Sequence, residues 1–237
     1  MRAFRDTACW IFDLDNTLYP AECNLFAQVD RRMGEFIAEF LEIPHEEARR
    51  LQKGYYRDYG TTLSGLMNRH GLEPSRFLDY VHDIDFSVLP QAPELGRALD
   101  GLPGEKFIFT NGTAVYAEKV AARLGVLDRF AGVFDIASAG YVPKPREEAY
   151  DRFLKAHGVS PARAAMFEDL PHNLEAPHRL GMATVLVRSR YFDHPAQREI
   201  ERWERLPDHI HHMTDDLTAF LSAVAQARAA PQAEGTD

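Results

Sequence analysis

Cys9-Trp10-Ile11-Phe12-Asp13-Leu14-Asp15 opens the ordered pattern of the chain: four apolar residues run straight into an aspartate. A strand covered on both faces carries apolar residues without alternation and delivers polar ones only where it leaves the sheet. The run is therefore predicted to be a buried parallel strand with Asp13 at its carboxyl end. Further along, Lys106-Phe107-Ile108-Phe109-Thr110, Val133-Phe134-Asp135-Ile136, Ala164-Ala165-Met166-Phe167 and Thr184-Val185-Leu186-Val187 repeat the pattern. Helical stretches separate them, at about 114–124, about 147–157 and up to Gly181. Strands joined by such crossovers are parallel, with right-handed connections, so the fold class is α/β. A last helix is expected at about 215–224.

Between the first two strands the period changes. Leu25, Val29, Met33, Phe36, Ile37, Phe40 and Leu41 recur at three- and four-residue steps, the mark of an amphipathic helix. Pro44 and Pro74 suit first helical turns, and Gly60 and Gly71 suit helix ends. Residues 20–90 thus form an all-helical insertion, with 1–19 and 91–227 making the core. The Ala-, Pro-, Gln- and Gly-containing segment 228–237 carries too little apolar content to pack and is expected to be a disordered tail.

Bulk properties restrict the partners. Against 27 Lys+Arg stand 36 Asp+Glu, a net charge of −9, which disfavours a nucleic-acid polymer or an anionic membrane surface. No apolar run approaches the roughly 20 residues needed to span a bilayer. Two cysteines, Cys9 and Cys23, show neither a CxxC spacing nor a disulfide framework, and no leader pattern opens the sequence, so a reducing, cytoplasmic setting is expected. Monomer and homodimer are both compatible with this composition.

In an open parallel sheet, ligands bind outside the carboxyl ends of the strands. The polar residues there are Asp13 and Asp15, Thr110 and Asn111, Lys144 in a Pro-flanked loop, and Glu168 with Asp169. Carboxylates bind a hard cation such as Mg²⁺ through oxygen, and the cation lets a phosphate enter an otherwise acidic cleft. Asp13 could then attack phosphorus, with Asp15 first protonating the leaving oxygen and later activating water. Lys144 and the Thr110 hydroxyl would hold non-bridging oxygens, and backbone N–H groups around Asn111 and Gly112 would add donors.

The set resembles a known family. Phe12-Asp13-Leu14-Asp15-Asn16-Thr17-Leu18 resembles the D-x-D-x-T signature of the haloacid dehalogenase superfamily. Phe109-Thr110-Asn111-Gly112 resembles its second motif, Lys144-Pro145 its third, and Phe167-Glu168-Asp169 with Asn173 its fourth. The resemblance implies a Rossmann-like three-layer core under an inserted helical cap. It also implies Asp13 as nucleophile and metal ligand, Asp15 as acid/base binding metal through its backbone carbonyl, and Asp169 as the remaining ligand, with Glu168 as the alternative. Asp15 speaks against a dehalogenase, which needs no acid/base at that place. Asn16-Thr17-Leu18-Tyr19-Pro20, Asn24-Leu25-Phe26, Arg32-Met33 and the stretch from Tyr59 to Leu66 are further similar to the pyrimidine 5′-nucleotidase branch. That likeness implies a nucleoside monophosphate substrate touched by Tyr19, Asn24, Tyr59, Thr61 and Thr62. Phosphoglycolate or a sugar phosphate is the competing substrate, and a catalytically idle binding module the competing class. From the residues alone Tyr55, Tyr56 and Tyr59 read as packing residues of a helix pair, and the His209-Ile210-His211-His212 cluster lacks a matched carboxylate or cysteine set for zinc.

Overall fold

The computed structural model describes residues 4–189, 191 and 196–230. Its centre is a six-stranded, all-parallel sheet in the order β3-β2-β1-β4-β5-β6. The strands are β1 (Cys9–Phe12), β2 (Glu105–Phe109), β3 (Gly132–Phe134), β4 (Ala164–Glu168), β5 (Ala183–Val187) and β6 (His212–Thr214). All four residues of β1 are buried, as a central strand requires. Trp10 and Phe12 point into one apolar cluster, and Cys9 and Ile11 into the other. The Phe12 ring stacks on Phe167 at 4.7 Å across the β1–β4 pair, and each fully buried aromatic or aliphatic side chain of this kind contributes roughly 1.5–3 kcal/mol.

The insertion consists of α1 (Leu25–Leu41), α2 (His45–Tyr59), α3 (Thr62–His70) and α4 (Pro74–Val81). Pro74 occupies the first turn of α4, and α3 ends where Gly71 adopts a φ of 62°, a conformation that costs glycine nothing. A Cβ on Gly65 would fall 2.4 Å from Tyr55 Cβ, so α2 and α3 approach this closely only because position 65 has no side chain. Phe36 meets Phe77 edge-on at 5.2 Å, and Gln52 Nε2 donates to Asp30 Oδ1 at 2.8 Å, tying α1 to α4 and α2.

The core helices α5 (Pro93–Asp100), α6 (Ala114–Leu124) and α10 (Leu217–Ala229) contribute to the cluster holding Trp10. The helices α7 (Glu147–His157) and α8 (Glu175–Arg179) contribute to the other cluster, and α9 (Gln197–Ile200) follows α8 and β5 in the chain. Three departures from the sequence reading stand out. The short α5 carries only two turns of pattern, and β6, His212-Met213-Thr214, is a three-residue edge with no buried residue, whose backbone completes the sheet. There His211 Nδ1 accepts from Thr184 N at 3.1 Å, which gives this histidine a structural partner. Helix α10 continues to Ala229, past the expected start of the tail, because the Arg228 guanidinium bonds the Phe4 carbonyl and lies 5.7 Å over the Trp10 ring. The rest of the expected tail, residues 231–237, lies outside the described residues. Among the described residues no helix is long and apolar enough to cross a membrane.

The register puts Phe12 beside both Ile108 and Phe167, so β1, β2 and β4 end together. The residues just past each of these strands therefore meet at one edge of the sheet.

Candidate active site

At that edge Asp13, Lys144, Glu168 and Asp169 converge, all of them buried. Asp13 is held by its own backbone N–H, which donates to Phe167 O at 2.9 Å and extends the ladder one residue past β1. Lys144 Nζ donates to Asp13 Oδ1 at 2.6 Å, Glu168 Oε1 at 2.8 Å and Phe109 O at 3.0 Å. All three ammonium hydrogens are thus directed at protein oxygens. Burial alone would push the Lys144 pKa down, but the charges of Asp13 and Glu168 more than offset it and hold it above the usual lysine value. Asp13 behaves oppositely: burial pushes it up to about 7, with Lys144 opposing and Glu168 and Asp15 adding to the rise.

Glu168 and Asp169 are adjacent but differ in environment. Glu168 Oε1 accepts from Lys144 and from Asn173 Nδ2 at 2.6 Å, and Oε2 accepts from Leu170 N at 2.8 Å. Burial raises its pKa, yet the charge of Lys144, then a hydrogen bond with Asp169 and those from Lys144 and Leu170, hold it below the usual carboxylate value. Asp169 is pushed well above its ordinary value by burial and then by the charges of Glu168 and Asp13. Carboxylate oxygens of Asp13, Glu168 and Asp169 all lie within 4.8 Å of one another. Asn173 Oδ1, next to them, is buried with no hydrogen-bond partner. Hard oxygen donors that repel one another, beside an unsatisfied buried acceptor, fit a divalent cation such as Mg²⁺.

Thr110 and Asn111 take different places. Thr110 Oγ1 accepts from Gly112 N at 2.9 Å, leaving its own O–H to donate. Asn111 exchanges two bonds with the backbone of Lys144, its Nδ2 donating to Lys144 O at 3.2 Å and its Oδ1 accepting from Lys144 N at 2.9 Å, and so pins the lysine loop. A Cβ on Gly112 would come 3.1 Å from Tyr116 Cδ1, so any side chain there would push the Tyr116 ring by a few tenths of an ångström.

Asp15 sits two residues past Asp13, and its Oδ1 receives two phenols, Tyr19 at 2.5 Å and Tyr116 at 2.6 Å. Burial raises the Asp15 pKa, and the Tyr116 and Tyr19 hydroxyls oppose that rise. Tyr19, expected to touch substrate, is 1% exposed and places its hydroxyl on Asp15. Other expected substrate contacts have local work. Asn24 Nδ2 donates to Glu22 O at 3.1 Å and its Oδ1 accepts from the Tyr191 hydroxyl at 2.8 Å. Thr61 caps α3 by accepting from Ser64 N at 3.0 Å, and buried Thr62 donates to Gln52 O at 3.5 Å. Tyr59 meets Tyr55 edge-on at 6.1 Å and lines a groove of about 720 Å³ with Arg50, Arg57 and Arg69. Tyr56, read from sequence as packing, is 41% exposed, and its pKa rises to about 12 through burial and then the nearby charges of Asp169 and Glu168. In α2 Tyr56 stands one residue, about 100° of helix, off the face shared by Tyr55 and Tyr59, so the helical period that packs those two leaves its side chain outside the packed face.

Residues 8–181 match the haloacid dehalogenase-like hydrolases. The chain belongs to that family. Among curated proteins it is 26% identical over 195 residues to phosphate metabolism protein 8 of Saccharomyces cerevisiae, covering 75% of this chain and 60% of that protein's length. Two solved haloacid dehalogenase-like structures share the fold. The phosphatase from Thermococcus onnurineus has a TM-score of 0.58 and 16% identity over 92% of this chain and 98% of its own. The L-2-haloacid dehalogenase from Xanthobacter autotrophicus has 0.53 and 19% over 95% and 100%. The family is one of hydrolases, and a phosphatase and a dehalogenase both occur among the solved structures that share this fold.

Proposed function

We propose that this hydrolase is a Mg²⁺-dependent phosphomonoesterase that works through an aspartyl-phosphate on Asp13, with a pyrimidine nucleoside 5′-monophosphate as substrate. The observation that carries the reading is the carboxylate of Asp15, gripped by two tyrosine hydroxyls two residues from Asp13. A departing halide needs no proton, whereas a departing alkoxide does, so an acid built in at this point has a use in ester cleavage. The yeast relative, whose name places it in phosphate metabolism, is in keeping with this.

In the first step an Asp13 oxygen bonds to phosphorus, the bond to the leaving oxygen breaks, and Asp15 gives that oxygen its proton. In the second, water attacks phosphorus, Asp15 takes the proton, and the Asp13–phosphorus bond breaks to release phosphate. Lys144 fixes Asp13 and stabilises its charged form, and the Thr110 hydroxyl is available to a phosphate oxygen. Asp13, Asp169 and the backbone carbonyl of Asp15 would hold the cation. Glu168 has both oxygens committed, and its role is to hold Lys144 and Asn173. The bound cation supplies neutralising charge and Lewis acidity at the phosphate. The helical insertion 20–90 would cover the site, with Tyr56 offering a ring to the leaving group.

The test is a comparison of kcat/KM for UMP, CMP, AMP, phosphoglycolate and a sugar phosphate, with Mg²⁺ and with a chelator. UMP and CMP should rank first and the chelator should abolish turnover. Nucleotides ranking last would remove the nucleotide assignment, and no turnover of any ester would remove the phosphatase reading.

A further inference from the structure

The grip on Asp15 reaches beyond the two tyrosines. Tyr19 lies in the loop after β1, only four residues past Asp15, but Tyr116 arrives from the first turn of α6, 101 residues away. A phenol brought from so far needs its ring plane set by something else. The face of Tyr116 lies flat on the imidazole of His82, with ring centroids 4.2 Å apart and planes 8° from parallel. His82 is the residue that ends α4, its backbone N–H donating to Leu78 O, and so belongs to the point where the chain leaves the helical insertion. Its Nδ1 is hydrogen-bonded at 3.3 Å to Thr113 Oγ1, the hydroxyl that caps α6 by accepting from Tyr116 N. A methyl group on Gly112 would come 3.5 Å from its Nε2, so the imidazole is wedged between the Tyr116 ring and the turn after β2.

We infer that His82 is a positioning residue for Asp15, acting through the stacked ring of Tyr116. The inference rests on the reading of Asp15 as the proton donor. With Oδ1 pinned by two donors, the carboxyl presents its other oxygen in one direction, and removing the flat support of Tyr116 releases one of those donors. Burial, followed by the charge of Lys119, lowers the His82 pKa to about 4, so near neutral pH the ring adds support without charge. Because His82 ends the last cap helix, the placement of the cap is coupled to the placement of the acid.

Leaving-group dependence separates this role from a structural one. A proton donor matters for an alkoxide and little for p-nitrophenolate, and kcat/KM reports the step in which the ester bond breaks. With Mg²⁺ and the full chain, His82→Ala should lower kcat/KM for an alkyl phosphate by roughly 10- to 100-fold and for p-nitrophenyl phosphate by less than about 3-fold. His82→Phe, which keeps a flat ring against Tyr116, should restore the alkyl ester rate to within about 3-fold of wild type. Tyr116→Phe keeps the ring and deletes the hydroxyl, and should show the same split, which keeps the inference testable should His82→Ala fail to fold. Equal losses on both esters, or no rescue by His82→Phe, would overturn it. A wild type that cleaves neither ester would instead sink the phosphatase reading, and this inference with it.

Discussion

The ammonium of Lys144 and the carboxylate of Asp13, 131 residues apart in sequence, meet at 2.6 Å in a site where both side chains are almost wholly removed from water. Lys144 is also the counter-charge of Glu168. Lys144→Met should therefore strand two buried carboxylates and destabilise the fold by about 3–5 kcal/mol, measured by urea denaturation, a loss far larger than a surface lysine would give. A loss below about 1 kcal/mol would mean that the cluster is not held by this charge.

Asp13→Asn keeps the shape of the side chain and the contact between Lys144 and Glu168, but removes the attacking oxygen's charge. Turnover of p-nitrophenyl phosphate should fall by about 10³-fold or more, with the circular dichroism spectrum unchanged. Retained activity would exclude Asp13 as the nucleophile.

Cation binding should be visible without catalysis. Mg²⁺ binds the folded cluster and not the unfolded chain, so at 100 times its dissociation constant it should add about 2.7 kcal/mol of stability and raise the melting temperature. Asp169→Asn should abolish the rise. Glu168→Gln should leave it largely in place, because Glu168 is committed to Lys144, Asn173 and Leu170. The reverse ranking would exchange the roles of the two acids.

His82 links stability to pH. Its folded pKa of about 4 lies below the ordinary histidine value of 6.5, so the unfolded chain binds the proton first as pH falls. The associated stability is whole above pH 6.5 and is lost on the way down to pH 4, by about 3 kcal/mol. Asp13, raised to about 7, works in the opposite sense: its contribution is whole below pH 3.8 and lost as pH rises to 7. The measurement is therefore the difference between wild type and His82→Phe across pH 4 to 7, which should shrink by that amount toward pH 4. A difference independent of pH would show that His82 titrates as an exposed imidazole.

Tyr56 carries the prediction for the cap. Tyr56→Ala should raise KM for UMP about five-fold or more, the worth of a lost aromatic contact, while leaving KM for inorganic-like small esters within about two-fold. Equal KM changes for both substrates would place the ring elsewhere than against the leaving group.

Much of this architecture is legible in the sequence alone. A buried strand and an amphipathic helix are written in periods of a few residues, so the run ending in Asp13, the helices Ala114–Leu124 and Glu147–His157, and the stop at Gly71 were legible locally. Residue chemistry in strand order also marked Asp13, Asp15, Thr110, Lys144, Glu168 and Asp169 as one set. What the tertiary structure alone decided was which oxygen faces which partner: Glu168 bound to Lys144 and Asn173, Tyr19 and Tyr116 on Asp15, and His82 behind Tyr116. Most of those contacts join elements tens to a hundred residues apart, and a hydrogen bond between two such elements imposes no spacing on the sequence of either. The edge strand at His212–Thr214 escaped for the same reason, since its place comes from backbone pairing with Val185–Val187 and not from any apolar pattern of its own.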